Sequence, residues 1–519
     1  MAERQVSLRH TFINSIGTLL SRITGVLKFT VVNHLFGAKA DPFQASFKMI
    51  NNLRKVIGEG ALNNAFIPSY QAVRKEDQEK AFLFASNLIN IFILATAALT
   101  AIGILLAPLY VPLLVPGYID DLIRRGEPKL YETINMTMIM MPFVILICLF
   151  SMAMGVLNSH KRFFSPAFSP ILFNIAFMVV PVVFFREWGT YALAASTLIG
   201  AGLMFVMEVI ELVRMGFRYR LHIDFKDPAL RQFFRLFWPT ALNMVIIMAV
   251  TYASTIFLSY LPDGSYVVIN NSFMIVQAPV GVIGIALGTV LLPLLSGIDR
   301  KTEPGKFDKA LNEGFKLLLY IIVPLSFFFI LFPDIAVNLA FRDPPMLFKG
   351  NTGEYTAQLL ALNSHTLSWY SAGLLPMALN IVFAKISYSM SDAKTPLITN
   401  IVLLITSIGL YFLSRVPSIG VTGIVIADIG ASWMTVLFYT FRLRPILKSG
   451  GVRQGIGGGL LKSILASVAA SAAVYPLYHF VYQAQLAVIP AIGLALGLTA
   501  LFGGVYFLAG KLMRWELKK

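Results

Sequence analysis

Residues 14–37 read NSIGTLLSRITGVLKFTVVNHLFG, and residues 43–70 read FQASFKMINNLRKVIGEGALNNAFIPSY. Both are long apolar segments that carry charges where a membrane-crossing helix ordinarily has none. Arg22 and Lys28 lie in the first, and Lys48, Arg54, Lys55 and Glu59 in the second. An ionised side chain at mid-bilayer depth costs roughly 2.5–3.5 kcal/mol on insertion scales, so such residues face a water-filled cavity or a partner. Four or five cations on two adjacent spans exceed what one acidic partner can neutralise. An aqueous cavity that receives an anionic ligand is the least costly arrangement.

The rest of the chain agrees with a membrane setting. Of 519 residues, 57% are hydrophobic and 13% charged, and the mean hydropathy is +0.74. A soluble domain carries about a quarter charged residues. The apolar residues fall in runs of the roughly 20 residues that a helix needs to cross a bilayer. The short alternating segments of a β-barrel are absent. The fold class is therefore an all-α polytopic membrane protein. Cys148 is the one cysteine, read as a buried small hydrophobe. With no CxxC, no HExxH and no His/Cys cluster, no metal or cofactor is expected. The net charge of +16 reads as basic cytoplasmic loops and not as a nucleic-acid surface. The polar, basic start MAERQVSLRH reads as a retained N-terminus without a cleaved signal peptide.

Charge clusters and Pro/Gly breaks mark fourteen expected spans: 11–35, 43–70, 81–114, 131–157, 164–186, 188–214, 233–261, 265–297, 309–341, 355–390, 395–414, 419–443, 458–483 and 487–512. Lys and Arg concentrate in the loops of one side: Arg4 and Arg9, the 160–162 turn, 214–235, 300–306, 442–453 and the tail. The loops at 261–264 and 482–485 lack them. This asymmetry predicts both termini in the cytoplasm. Segment 214–235 has two readings, an amphipathic helix on the inner leaflet or an ordinary basic loop.

A repeat appears at one constant offset along the chain. Ile199-Gly200-Ala201, Met204 and Val206 recur as Ile429-Gly430-Ala431, Met434 and Val436. At the same offset Arg214 recurs as Arg444, Ser159 as Ser389, and Pro166 as Pro396. Six spans separate the copies, and an even number preserves direction. The expected architecture is two six-helix lobes, 1–220 and 221–450, related by a pseudo-two-fold along the membrane normal, plus helices 13 and 14 in 451–519. Repeats of this kind belong to transporters that alternate access around a site at the repeat interface.

On span 2, Lys48, Asn51/Asn52, Lys55, Glu59 and Asn63 step by three or four residues and share a face, with Arg54 to one side. On span 1, Asn14, Thr18, Ser21, Gly25 and Lys28 form a similar stripe beside Arg22. Two readings stand. In one the stripe faces a cavity, and arginine forks grip phosphate. In the other Lys55 and Glu59 pair while Lys28 and Lys48 snorkel to an interface. Asp428 and Lys385 read equally as ion sites or as structural charges, and Glu208 and Glu211 as the cytoplasmic end of a helix.

Several blocks resemble the MurJ (MviN) lipid II flippase family of the multidrug/oligosaccharidyl-lipid/polysaccharide exporter group. They are Leu20-Ser21-Arg22-Ile23-x-Gly25, Leu35-Phe36-Gly37-Ala38, Asp41-x-Phe43-x-x-x-Phe47-Lys48, and Asn51-x-Leu53-Arg54-Lys55-x-x-x-Glu59-Gly60-Ala61 running on to Pro68. Pro279-x-Gly281-Val282 through Pro293, and Asp392-x-Lys394-Thr395-Pro396, carry it into the second half. The resemblance implies fourteen helices, a cationic cavity, and a groove of spans 13 and 14 for a lipid tail. It also implies a functional set at Ser21, Arg22, Lys28, Asp41, Asn51, Arg54 and Glu59, to which the face on span 2 adds Lys55. Four positions depart from the family's charge pattern: Phe29, Ser254, Met274 and Gln277.

The resemblance implies a monomeric, multi-pass inner-membrane flippase of a bacterium, not an enzyme. It would carry an undecaprenyl-pyrophosphate-linked peptidoglycan precursor outward, driven by membrane potential or a monovalent cation. The rivals are export of another polyprenyl-linked glycan, ion-coupled drug export, a membrane glycosyltransferase and a non-transporting scaffold. The cations oppose the drug, and the missing carboxylate cluster opposes the enzyme.

Overall fold

The computed structural model describes residues 2–54, 61–284, 287, 291, 294–295, 297–298, 303–341, 356–390, 392, 394–447, 450–481 and 488–513. Helix covers nearly all of them, and no strand occurs among the described residues. The chain forms two packing units, Met1–Tyr266 and Val267–Lys519.

The first unit holds α1 (Ala2–Phe36), α2 (Asp41–Arg54), α3 (Ala61–Glu76), α4 (Gln78–Leu114), α5 (Pro116–Arg125), α6 (Lys129–Met140), α7 (Phe143–Ser159), α8 (Phe164–Trp188), α9 (Tyr191–Met215) and α10 (Pro228–Leu258). Helix α11 (Ser265–Pro279) begins at the end of this unit and runs on into the second. The second unit continues with α12 (Pro304–Leu331), α13 (Pro333–Phe341), α14 (Ala357–Ser371), α15 (Leu374–Ser389), α16 (Lys394–Tyr411), α17 (Val421–Arg442), α18 (Arg444–Leu447), α19 (Gly450–Val481) and α20 (Val488–Leu512). Among the described residues, ten helices are long and apolar enough to cross a membrane, or eleven if α14 and α15, bent by 45°, make one span. The expected spans 11–35, 43–70 and 265–297 fall outside that count, so fourteen is not reached by length and composition. The protein is a multi-pass membrane protein.

Helix ends follow local chemistry. The Asp77 carboxylate accepts the N–H groups of Glu79 and Lys80 and starts α4, while Asp227 accepts from Ala229 behind Pro228 and starts α10. Pro108 and Pro112 sit inside α4 and Pro170 and Pro181 inside α8, as membrane helices tolerate.

Helix α1 packs along α8 in the same direction. A Cβ on Gly17 would lie 2.7 Å from Ala167 Cβ, and Asn174 Nδ2 donates to the Ser21 carbonyl and to Thr24 Oγ1, both at 3.0 Å. Expected spans 1 and 5, four crossings apart, must run parallel, and they do.

The repeat is visible in the helices. Helices α8 and α16 begin at Phe164 and Lys394, and α9 and α17 at Tyr191 and Val421, both pairs at the offset of the sequence repeat. Both pairs form antiparallel hairpins. The C-terminal helices α19 and α20 pack on α12 through Ala466, Ala470, Val474, Phe502, Phe328 and Phe332. Ser463 Oγ donates to the Leu319 carbonyl at 3.0 Å and Tyr506 OH to that of Tyr320 at 2.8 Å.

Segment 214–235 resolves into two parts. Gly216 ends α9 at φ +84°, where a left-handed backbone suits glycine. Residues 217–227 are then not helical, which removes the reading of one amphipathic helix. The strap lies along α4, and the helix resumes at Pro228.

Candidate functional site

Three cations of α1 and α2, Lys28, Lys48 and Arg54, are half-buried, and each meets a different neutral group. Lys28 of α1 holds its ammonium over the rings of Phe29 at 4.7 Å, Phe177 at 5.0 Å and Phe173 at 5.6 Å. The electron-rich ring faces attract a cation without neutralising it. Phe47 of α2 packs on Phe173 and Phe177 with centroids 6.5 and 6.2 Å away, so one aromatic layer joins α1, α2 and α8. Lys48 Nζ donates to Ser254 Oγ of α10 at 3.2 Å. Arg54 Nε donates to Asn51 Oδ1 at 2.7 Å, three residues back on one helical face. Snorkelling, one reading for Lys28 and Lys48, is not what either side chain does.

Lys28 and Arg54 lie near enough for the like charge of Arg54 to act on Lys28. Arg22 is exposed on α1. Ser21 is half-buried, and its carbonyl is engaged by Asn174. Asp41, first residue of α2, is buried and accepts the Gly264 N–H at 2.7 Å, so it anchors the turn before α11. Lys55 and Glu59 lie outside the described residues. The structure thus gathers Lys28, Asn51 and Arg54 and directs Asp41 elsewhere. Ser254, where the family pattern carries an acid, serves as the hydrogen-bond acceptor of Lys48.

Two buried amides lie outside the expected site set. Asn33, with no exposed surface, makes no side-chain hydrogen bond in the described structure, and neither does Asn52 Nδ2. Buried polar groups are ordinarily satisfied. Asn52 stood on the Lys48 face, and Asn33 was signalled only as a polar residue in an apolar run.

Glu208 is a correction. It is not a helix-end charge. It is fully buried in α9, and its two carboxylate oxygens accept from Ser165 Oγ at 3.0 Å and Ser169 Oγ at 3.1 Å of α8. Glu211 does sit near a basic loop, 3.8 Å from Arg162. In the second unit, the Asp428 carboxylate accepts from Tyr370 OH at 2.6 Å and Tyr411 OH at 2.7 Å, tying α14, α16 and α17 together. Met274 is half-buried and Gln277 exposed on α11. No group of three or more metal-ligating side chains occurs among the described residues.

A family model described as Lipid II flippase MurJ matches residues 32–494. The chain is 26% identical over 470 residues to a probable lipid II flippase MurJ of Borreliella burgdorferi, covering 90% of this chain and 88% of that protein. It is 28% identical over 437 residues to a lipid II flippase MurJ of Burkholderia cenocepacia, covering 81% of each. In fold it is similar to a lipid II flippase MurJ in an inward closed conformation, with a TM-score of 0.76 at 23% identity over 97% of this chain and 98% of that one. It is also similar to an inward-facing multidrug resistance MATE family transporter of the MOP superfamily, with a TM-score of 0.62 at 12% identity over 83% and 96% of the two chains.

Proposed function

The chain belongs to the lipid II flippase MurJ family, and from that membership we infer that it is itself a lipid II flippase, a transporter and not an enzyme. It moves the lipid-linked peptidoglycan precursor from the cytoplasmic to the periplasmic leaflet of a bacterial inner membrane, and no bond is made or broken. One observation carries the assignment of the site: Lys28 and Arg54 face each other's charge, and Lys28 is held by aromatic rings instead of a carboxylate. An anion placed between the two is attracted by both charges. A pyrophosphate satisfies both, and guanidinium adds two parallel hydrogen bonds.

In this reading Arg22, Lys28 and Arg54 hold the pyrophosphate, with Ser21 and Asn51 around it. Lys55 and Glu59 extend the same face, and Glu59 organises the cations. Asp41 holds the turn before α11 through the Gly264 N–H. Lobes 1–220 and 221–450 alternate access, and helices 451–519 supply the groove for the lipid tail. The protein works as a monomer with both termini in the cytoplasm. The membrane potential biases return of the emptied cationic site, at about 2.3 kcal/mol per elementary charge per 100 mV.

The test is rescue of a bacterium depleted of its own lipid II flippase, with leaflet accessibility of lipid II scored directly. Wild-type protein should rescue, and Arg22→Ala or Arg54→Ala should abolish rescue at unchanged membrane expression. Full rescue by both variants would sink the site assignment. No rescue by well-expressed wild-type protein would turn the substrate toward another polyprenyl-linked glycan.

A further inference from the structure

The strap at 217–227 has a construction that transport does not explain. It joins two membrane helices, α9 and α10, yet it is not helical, and side chains of α4, remote in sequence, pin it. Asn87 Nδ2 donates to the Asp224 carbonyl, and the Asp224 N–H donates back to Asn87 Oδ1, both at 2.8 Å. Asn90 Nδ2 donates to the carbonyls of Arg220 and His222 at 3.1 and 3.0 Å. The Arg220 N–H donates to Ser86 Oγ at 3.1 Å. Backbone groups of 220, 222 and 224 are thereby spent on α4. The Tyr219 hydroxyl also donates to Asn90 Oδ1 of α4, while Leu221, Ile223 and Phe225 stand exposed, Leu221 at 85% and Phe225 at 71%.

A fixed row of large exposed apolar side chains marks an interaction surface. Its place between two membrane spans puts it at the bilayer boundary. Cations surround it. Arg218 and Arg220 share the single carboxylate of Glu79, at 3.7 and 3.2 Å. Lys226 and Arg231 line a groove of about 620 Å³ with Phe225, Pro228, Leu230 and Phe234. Asp227 also lines the groove and accepts the Ala229 N–H, and Asp224 accepts the Lys226 N–H, so four cations, Arg218, Arg220, Lys226 and Arg231, stand against the three carboxylates of Glu79, Asp224 and Asp227.

We propose that this strap and the first turns of α10 bind the headgroup of an acidic phospholipid, with Lys226 and Arg231 on its phosphate and Leu221 and Phe225 among its acyl chains. Apolar insertion with juxtamembrane basic residues is the chemistry that recognises an anionic leaflet. The site is separate from the Lys28–Arg54 pair and is read by binding, so its failure and a failure of the flippase reading are distinguishable.

Trp238, exposed and stacked near Phe234 with centroids 6.4 Å apart, is a built-in reporter. The full chain would keep Trp238 and carry Phe at its other four tryptophans, in phosphatidylcholine vesicles doped with brominated phosphatidylglycerol or brominated phosphatidylcholine. Brominated phosphatidylglycerol should quench Trp238 at about tenfold lower mole fraction. Lys226→Gln and Arg231→Gln should each weaken that preference about fivefold, the effect of one basic residue at an anionic surface. Equal quenching by the two lipids, or a preference unchanged in the double variant, overturns the proposal. Native mass spectrometry of the unaltered chain gives a second reading: retained phosphatidylglycerol that the double variant loses supports it, and no lipid preference in the wild type refutes it.

Discussion

The hairpins α8–α9 and α16–α17 begin in register with the sequence repeat at both helices, and each places hydroxyl residues at the same two positions, Ser165 and Ser169 in one, Thr395 and Thr399 in the other. What the hydroxyls hold differs. In the first hairpin both serines donate to one buried carboxylate, Glu208. In the second, Thr395 Oγ1 donates at 2.5 Å to Asp392, in the turn before α16, and Thr399 Oγ1 donates at 2.8 Å to the Thr395 carbonyl. Position 438, the counterpart of Glu208, is a phenylalanine. Backbone and hydroxyl sites have thus stayed in register while the partner moved from a buried acid to a turn aspartate and a helix carbonyl. A repeat preserves geometry more readily than charge. The same division appears at larger scale: the first unit holds the half-buried cations Lys28, Lys48 and Arg54, and in the second two tyrosines donate to the half-buried Asp428.

Breaking the first hairpin should cost the most. Glu208→Ala leaves two buried serine hydroxyls without their acceptor, each worth about 1–3 kcal/mol when orphaned, so a loss of about 3 kcal/mol is expected. Glu208→Gln keeps one acceptor and should cost about half as much. Thermal unfolding of purified protein in detergent reads both. If Glu208→Ala unfolds like wild type, the carboxylate does not bind the hairpin together, and the contrast with the second half fails.

The second unit should respond less. Tyr370→Phe and Tyr411→Phe each remove one donor to Asp428 and leave the other, for about 1.5 kcal/mol apiece. Thr399→Val removes a hydrogen bond between neutral groups, about 1 kcal/mol. A cycle of the two tyrosine variants sharpens the comparison, because a shared carboxylate makes the double loss exceed the sum of the singles. Strict additivity would mean that the two phenols act separately.

Much of this was legible beforehand. The runs that became helices and the constant offset of the repeat are read from the chain's own pattern, as are the polar stripes that hold Lys28 on span 1 and Lys48 on span 2, with Arg54 to one side. Partners contributed from far along the chain were not. Lys28 meets Phe173 and Phe177 from a helix several crossings later, and nothing near it in sequence says that rings replace a carboxylate. Ser165 and Ser169 stand four apart on one helical face, but small polar residues at that spacing are common in membrane helices, so the pairing with Glu208 carried no signal. The strap is the instructive miss. Its apolar residues at 219, 221, 223 and 225 have the period of extended chain, yet a basic segment beside a membrane invites a helix. The asparagines of α4 that settle the matter are themselves ordinary residues of a long apolar span.

The smallest effects belong to the turns that precede the two hairpins, where Arg162 and Asp392 occupy equivalent positions. In the first turn, burial and then the charges of Arg74 and Arg162 push His160 down to about 4, while Tyr70 OH lies 3.0 Å from its Nε2. Between its ordinary value near 6.5 and 4, the unfolded chain takes up a proton that the folded turn refuses. Stability therefore falls as pH drops through that window and is unaffected above it. In the second turn, the Thr395 hydroxyl holds Asp392 below its ordinary 3.8, so its contribution is present above that value and lost only as pH falls further. Both groups are partly solvated, which screens the effect and keeps each modest. His160→Gln should flatten the unfolding temperature between pH 6.5 and 4 without touching the limb below. Asp392→Asn should flatten only the more acid limb. A single limb abolished by either variant would mean that the two turns titrate as one unit, and the independence drawn from their different chemistry would be lost.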